Sequence, residues 1–132
     1  MSVQEPRLLA IVELGGYPNF TTLYQRLGIA ASFVNSQRKA LAYLRKQVPD
    51  LVVAEYNFQS DFRDRTSNLE TLMAGLQRHP QVQVILFYPP EHAPKLDLLR
   101  ARFPVTAALP FPITPIALEH ALTHALQQHV RG

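Results

Sequence analysis

The sequence predicts a doubly wound α/β domain with a parallel sheet covered on both faces. Two observations carry this. Five short apolar runs alternate with five stretches whose apolar residues recur at helical spacing. Each junction holds Gly, Pro, Asn or Ser, the residues that turn a chain or cap a helix. Strands that are apolar almost throughout are buried on both faces, and right-handed crossovers place the intervening helices there.

Arg7 to Glu13 reads as the first strand, ended by Gly15-Gly16 and followed by a helix from Pro18 or Asn19 to Leu27. Ser32 to Asn35 reads as the second strand. Ser36 then caps a helix with Ala40, Leu41, Leu44 and Val48 inward and Arg38, Lys39, Arg45 and Lys46 outward, stopped by Pro49. Leu51 to Ala54 is the third strand. A long charged segment, Asn57 to Thr66, leads to a helix that starts near Ser67 or Asn68, carries Leu69, Leu72, Met73 and Leu76, and ends before Pro80. Val82 to Tyr88 is the fourth strand, halted by Pro89-Pro90. The helix after it presents Leu96, Leu98, Leu99 and Phe103 until Pro104 breaks it. Val105 to Leu109 is the fifth strand, and Pro115 suits the first turn of a last helix with Leu118, Ala121, Leu122, Ala125 and Leu126 inward.

At 132 residues there is room for one substantial core, so a single domain over 1–132 is expected, with its core from about 7 to 129. A composition of 47% hydrophobic and 17% charged residues is that of a globular chain. The run Leu8 to Leu14 is too short and too soon interrupted for a signal peptide, and there is no long apolar run for a membrane span. Together with the absence of Cys, this fits a cytoplasmic protein. The net charge of +3 is spread over scattered Arg and Lys, so nucleic-acid binding is not expected.

The stretch Pro49-Asp50-Leu51-Val52-Val53-Ala54-Glu55-Tyr56-Asn57 is the most informative. Its apolar run stops at one carboxylate, Glu55, where a polar loop begins. In an open parallel sheet, sites form at the carboxyl ends of the strands, and Glu55 stands at such an end.

Two segments resemble the receiver domains of response regulators. Pro49 to Glu55 is similar to the receiver strand that ends in the phosphorylated Asp, and Ala108-Leu109-Pro110-Phe111 is similar to the Lys-Pro-Phe signature of the fifth strand. The resemblance covers nearly the whole chain. It implies the flavodoxin-like, CheY-like fold with strand order 2-1-3-4-5. It also implies a phosphoryl pocket, here degenerate. The acidic pair of receivers aligns with Glu13 and Leu14, the acceptor with Glu55, the metal-binding loop carbonyl with Asn57, the hydroxyl switch with Tyr88, the mobile aromatic with Thr106, and the lysine with Leu109, followed by Pro110.

These departures remove the chemistry. Mg²⁺ needs oxygen ligands in near-octahedral array, and Leu14 takes away one carboxylate and adds apolar bulk. Leu109 removes a cation that would stabilise a transferring phosphoryl group. Glu55 is one methylene longer than Asp, and a misplacement of about 1 Å can cost about a hundredfold in rate. The expectation is a pseudo-receiver with no catalytic residue, no bound metal and no cofactor. Glu55 then has two readings: a fixed negative group that partly imitates a phosphoryl group, or a polar strand end satisfied by loop N–H groups and water. Tyr88 is placed to fill the vacated pocket and donate its hydroxyl to Glu55 or Glu13, or to lie exposed over the site.

Other features carry less. His120 and His124 lie four apart near Glu119, but no further ligand joins them, so a polar outward face is favoured over a metal site. Gly15-Gly16 lacks phosphate-loop spacing and reads as a turn. Asp61, Arg63, Asp64 and Arg65 form a charged insertion that suits either solvent or docking.

The functional expectation is a stand-alone, non-enzymatic signalling domain that binds a protein without being phosphorylated. The partner is a histidine kinase or another signalling protein, or a second copy of the chain. The surface is that of the fourth helix, fifth strand and fifth helix, with Lys95, Arg100, Arg102, His120 and His124. Two alternatives stand beside it: an atypical phosphorelay regulator that takes a phosphoryl group from a histidine kinase, and a flavodoxin-like binder of a small ligand.

Overall fold

A computed structural model describes residues 5–13, 15–17, 19–56 and 69–131, the last three as backbone. Five strands, β1 (Arg7–Ile11), β2 (Ala30–Val34), β3 (Leu51–Glu55), β4 (Gln83–Tyr88) and β5 (Ala107–Pro110), form one parallel sheet in the order β2-β1-β3-β4-β5. Between them run α1 (Thr21–Arg26), α2 (Gln37–Lys46), α3 (Glu70–Leu76) and α4 (Ala93–Arg102), and α5 (Pro115–Arg131) follows β5. This is the flavodoxin-like architecture with the strand order that the receiver resemblance implies.

The period-2 alternation of the central strands splits the core in two. Leu9, Ile11, Val52, Ala54, Val84 and Leu86 point to one face, where Ala40 of α2, Leu72, Met73 and Leu76 of α3 and Leu96 and Leu99 of α4 cover them. Leu8, Ala10, Leu51, Val53, Ile85 and Phe87 point to the other, beneath Leu23 and Tyr24 of α1 and Leu118, Leu122 and Ala125 of α5. β3 is buried along its whole length, which explains its unbroken apolar run. Ser36 caps α2 by accepting a hydrogen bond from the Lys39 N–H at 3.1 Å. Across the helical layer Arg26 of α1 pairs with Glu119 of α5 at 2.7 Å.

Several boundaries differ from the sequence reading. β2 begins at Ala30 rather than Ser32, because the Ala30 N–H donates to the Pro6 carbonyl at 2.8 Å and registers the strand against β1. β1 stops at Ile11, which leaves Glu13 in the loop, and β5 begins at Ala107 rather than Val105. Val48 falls beyond α2 and is exposed, and Leu98 is 64% exposed because it points away from the stripe made by Leu96, Leu99 and Phe103. Pro90–His92 forms a short 3₁₀ turn that leads into α4. Leu14, the charged segment 57–66 that includes Asn57, and the expected start of α3 at 67 or 68 lie outside the described residues. Among the described residues, no helix is long and apolar enough to cross a membrane.

Candidate functional site: a carboxylate enclosed by the β1–α1 loop

Glu55 ends β3 at the carboxyl edge of the sheet and is only 3% exposed. It occupies one row of the sheet with Phe87 of β4 and Leu109 of β5. A buried carboxylate must find donors for its oxygens or lose several kcal/mol of hydration uncompensated. The β1–α1 loop supplies them. Glu55 Oε2 accepts from the Glu13 N–H at 3.0 Å, from the Gly15 N–H at 3.3 Å and from the Tyr17 hydroxyl at 2.7 Å.

The loop can do this because of Gly15 and Gly16. Their φ angles of 71° and 80° lie in the left-handed region, which costs glycine nothing and other residues about 1–2 kcal/mol. Two successive residues of this kind turn the chain back over the end of β3, so that a backbone N–H before the turn and a side chain after it meet the same oxygen. Glu13 is also tied to α2, where its Oε1 accepts from Gln37 Nε2 at 2.8 Å.

Over this corner lies a cluster of rings. Tyr17 meets Phe87 edge-on with centroids 5.2 Å apart, and it packs against Phe111 at 5.8 Å and Phe20 at 6.1 Å. Phe87 touches Phe20 and Phe111 in turn, at 6.3 and 6.4 Å. Burial pushes the Tyr17 phenol well above its ordinary value, and the hydrogen bond to Glu55 pushes it further, so the hydroxyl keeps its proton and acts as a donor.

The sequence-predicted pocket is thus only partly assembled. Glu13 and Glu55 are brought together. Leu109 stands in the row of Glu55, but its side chain packs with the α1 and α5 core instead of lining a polar site. Pro110 is exposed at the end of β5. Tyr88 follows Phe87, so alternation turns it to the opposite sheet face, against the α2, α3 and α4 core, and the hydroxyl expected from it on Glu55 comes from Tyr17. Thr106 is also displaced from the pocket. It precedes β5, three rows of the sheet below Leu109, where its hydroxyl donates to Gln83 Oε1 at 2.8 Å and accepts from the Val84 N–H at 3.2 Å. Tyr17 was missed by the sequence reading, and its one signal was its position just after Gly15-Gly16.

Lys95, Arg100, His120 and His124 are exposed on α4 and α5. Arg102 is turned toward α3, where it pairs with Glu70 at 2.5 Å, so it is not directed at the surface shared with β5 and α5. Among the described residues, no group of three or more His, Cys, Asp or Glu side chains is arranged to hold a metal ion.

No protein-family model and no curated protein matches this sequence. Solved structures do. The signal receiver domain of an HD domain-containing protein from Pseudomonas fluorescens Pf-5 is 18% identical with a TM-score of 0.74, covering 98% of this chain and 100% of that one. A CheY-like response regulator receiver domain from Methanospirillum hungatei JF-1 is 12% identical with a TM-score of 0.73, again over 98% and 100%. The chemotaxis response regulator CheY4 of Vibrio cholerae is 17% identical with a TM-score of 0.70, over 92% and 99%. The chain has the fold of response regulator receiver domains.

Proposed function

We propose that this chain is a signalling module of receiver fold that works by binding another protein and takes no phosphoryl group. The observation that carries the reading is the enclosure of Glu55. Its Oε2 is already held by backbone N–H groups and a phenol. Attack through it requires breaking a charge-assisted hydrogen bond and moving the ring cluster over it. Leu109, the residue aligned with the receiver lysine, packs partly buried against the α1 and α5 core, so its position offers no cation to developing charge. A carboxylate fixed in this way resembles a permanently set switch more than a reversible one.

The binding surface suggested by the fold is that of α4, β5 and α5. β5 is an edge strand, and exposed Lys95, Arg100, His120 and His124 flank it, with Leu98 of α4 and Ile116 of α5 as exposed apolar side chains. A few such anchors carry most of the energy of an interface. The partner is a signalling protein, a histidine kinase among them, or a second copy of the chain.

Two measurements test the proposal. Incubation with an active, autophosphorylated histidine kinase that labels an ordinary receiver should leave this protein unlabelled; a label localised to Glu55 overturns the reading. Arg100→Glu and His120→Glu should lower the affinity of the identified partner, or dissociate the dimer. If both variants leave affinity and oligomeric state unchanged, the surface is wrong.

A further inference from the structure

Beside Tyr17, on the side away from β5, the structure holds a cleft of about 540 Å³ between α1 and the carboxyl ends of β1 and β2. Its size is that of a small-ligand pocket. The walls are aromatic: Tyr17 and Phe20 lie nearly parallel, 15° between their planes, and Tyr24 meets Phe33 at 6.2 Å. Phe33 is 47% exposed, a large apolar group left in contact with water at the edge of a concave apolar surface. Covering it with a flat ring would remove that area from water at about 25 cal/mol per Å².

The cleft offers an anion a cation and amide donors. Asn19, Asn35 and Lys39 line it, and among the described residues no Asp or Glu does. Asn19 Oδ1 is already used, accepting from the Thr21 N–H at 2.8 Å, which leaves its amide N–H groups as the available donors. Lys39 is exposed, its backbone N–H is engaged in the α2 cap, and the ion pairs among the described residues involve other residues. One ammonium and two amides beside an aromatic trough make the recognition set for a single negative charge on a flat apolar body.

The geometry points to this cleft as a binding site for a small aromatic carboxylate. The site goes beyond the protein-binding reading and does not depend on it. It also adjoins the enclosed carboxylate, because the Tyr17 ring forms a wall of the cleft while its hydroxyl holds Glu55.

The test uses 2-naphthoate and its neutral analogue 2-naphthylmethanol, each titrated into the whole chain and followed by amide NMR and calorimetry. Saturable shifts centred on Tyr24, Phe33, Asn35 and Lys39 are expected, with 2-naphthoate the tighter ligand. Lys39→Met, a change at an exposed side chain, should weaken 2-naphthoate about tenfold and leave 2-naphthylmethanol within about twofold. Lack of saturable shifts with either compound overturns the site. Equal binding of 2-naphthoate by the parent and Lys39→Met overturns its assignment to anions. Asn35→Ala gives a second check: it should weaken 2-naphthoate more than the neutral analogue, and the reverse order contradicts the proposal.

Discussion

The Tyr17 hydroxyl donates to Glu55 Oε2 across 2.7 Å, joining a loop residue to the end of β3 thirty-eight positions away in sequence. The bond gives a buried carboxylate a neutral, proton-keeping partner at the carboxyl edge of the sheet. It also fixes the course of the β1–α1 loop, since the same oxygen gathers the Glu13 and Gly15 N–H groups.

If these groups act as one unit, the two side chains should be energetically coupled. Tyr17→Phe removes one donor and should cost about 1–2 kcal/mol; Glu55→Gln, which brings an amide toward several donors, should cost about 1–3 kcal/mol. In urea denaturation the double variant should lose at least about 1 kcal/mol less than the sum of the two. Additive losses would mean that the hydroxyl contributes nothing to holding Glu55.

The turn that brings Tyr17 back depends on backbone freedom rather than on space. A Cβ on Gly15 would meet Val12 Cγ1 at an ordinary 3.9 Å, so Gly15→Ala introduces strain at φ 71° without a clash. We expect a loss of about 1–2 kcal/mol, with NMR shift changes concentrated at Glu13, Tyr17 and Glu55. An unchanged urea midpoint would show that the loop does not need the left-handed conformation.

Alkaline pH should unfold the protein partly through two phenols. Tyr17 is raised by burial and then by its bond to Glu55, and Tyr24 by burial. A folded-state value raised above the unfolded one contributes stability that is whole below the unfolded value of about 10 and is lost as pH climbs through the folded value. Stability measured between pH 8 and 11 should therefore fall above about pH 10, and Tyr24→Phe should fall less steeply there than the parent. Parallel curves for the two proteins would rule out Tyr24 as a contributor.

The sheet and its covering helices were legible because buried parallel strands cannot alternate: Leu51 to Ala54 had to be apolar on both faces, and Pro49, Pro80, Pro104 and Pro115 punctuate the helices. Glu55 was legible for the same reason, as a charged residue at the end of such a run. The rest of the site was not. Tyr17 reaches Glu55 only through two left-handed glycines, and a Gly-Gly pair in sequence says that a turn exists but not where it points. Tyr88 and Phe87 are neighbours in sequence, and which of them shares a face with Glu55 depends on a register that no local pattern reveals. Leu98 and Val48 satisfied helical spacing loosely, yet they lie outside the stripe that the sheet covers.

The most direct test of the central claim is an amide NMR titration with Mg²⁺ and then beryllofluoride, beside an ordinary receiver as control. With Glu55 enclosed by the β1–α1 loop, the resonances of Glu13, Gly15, Tyr17 and Glu55 should stay in place while the control responds. Saturable shifts at those residues, strengthened by beryllofluoride, would contradict the account and return the protein to phosphorelay chemistry.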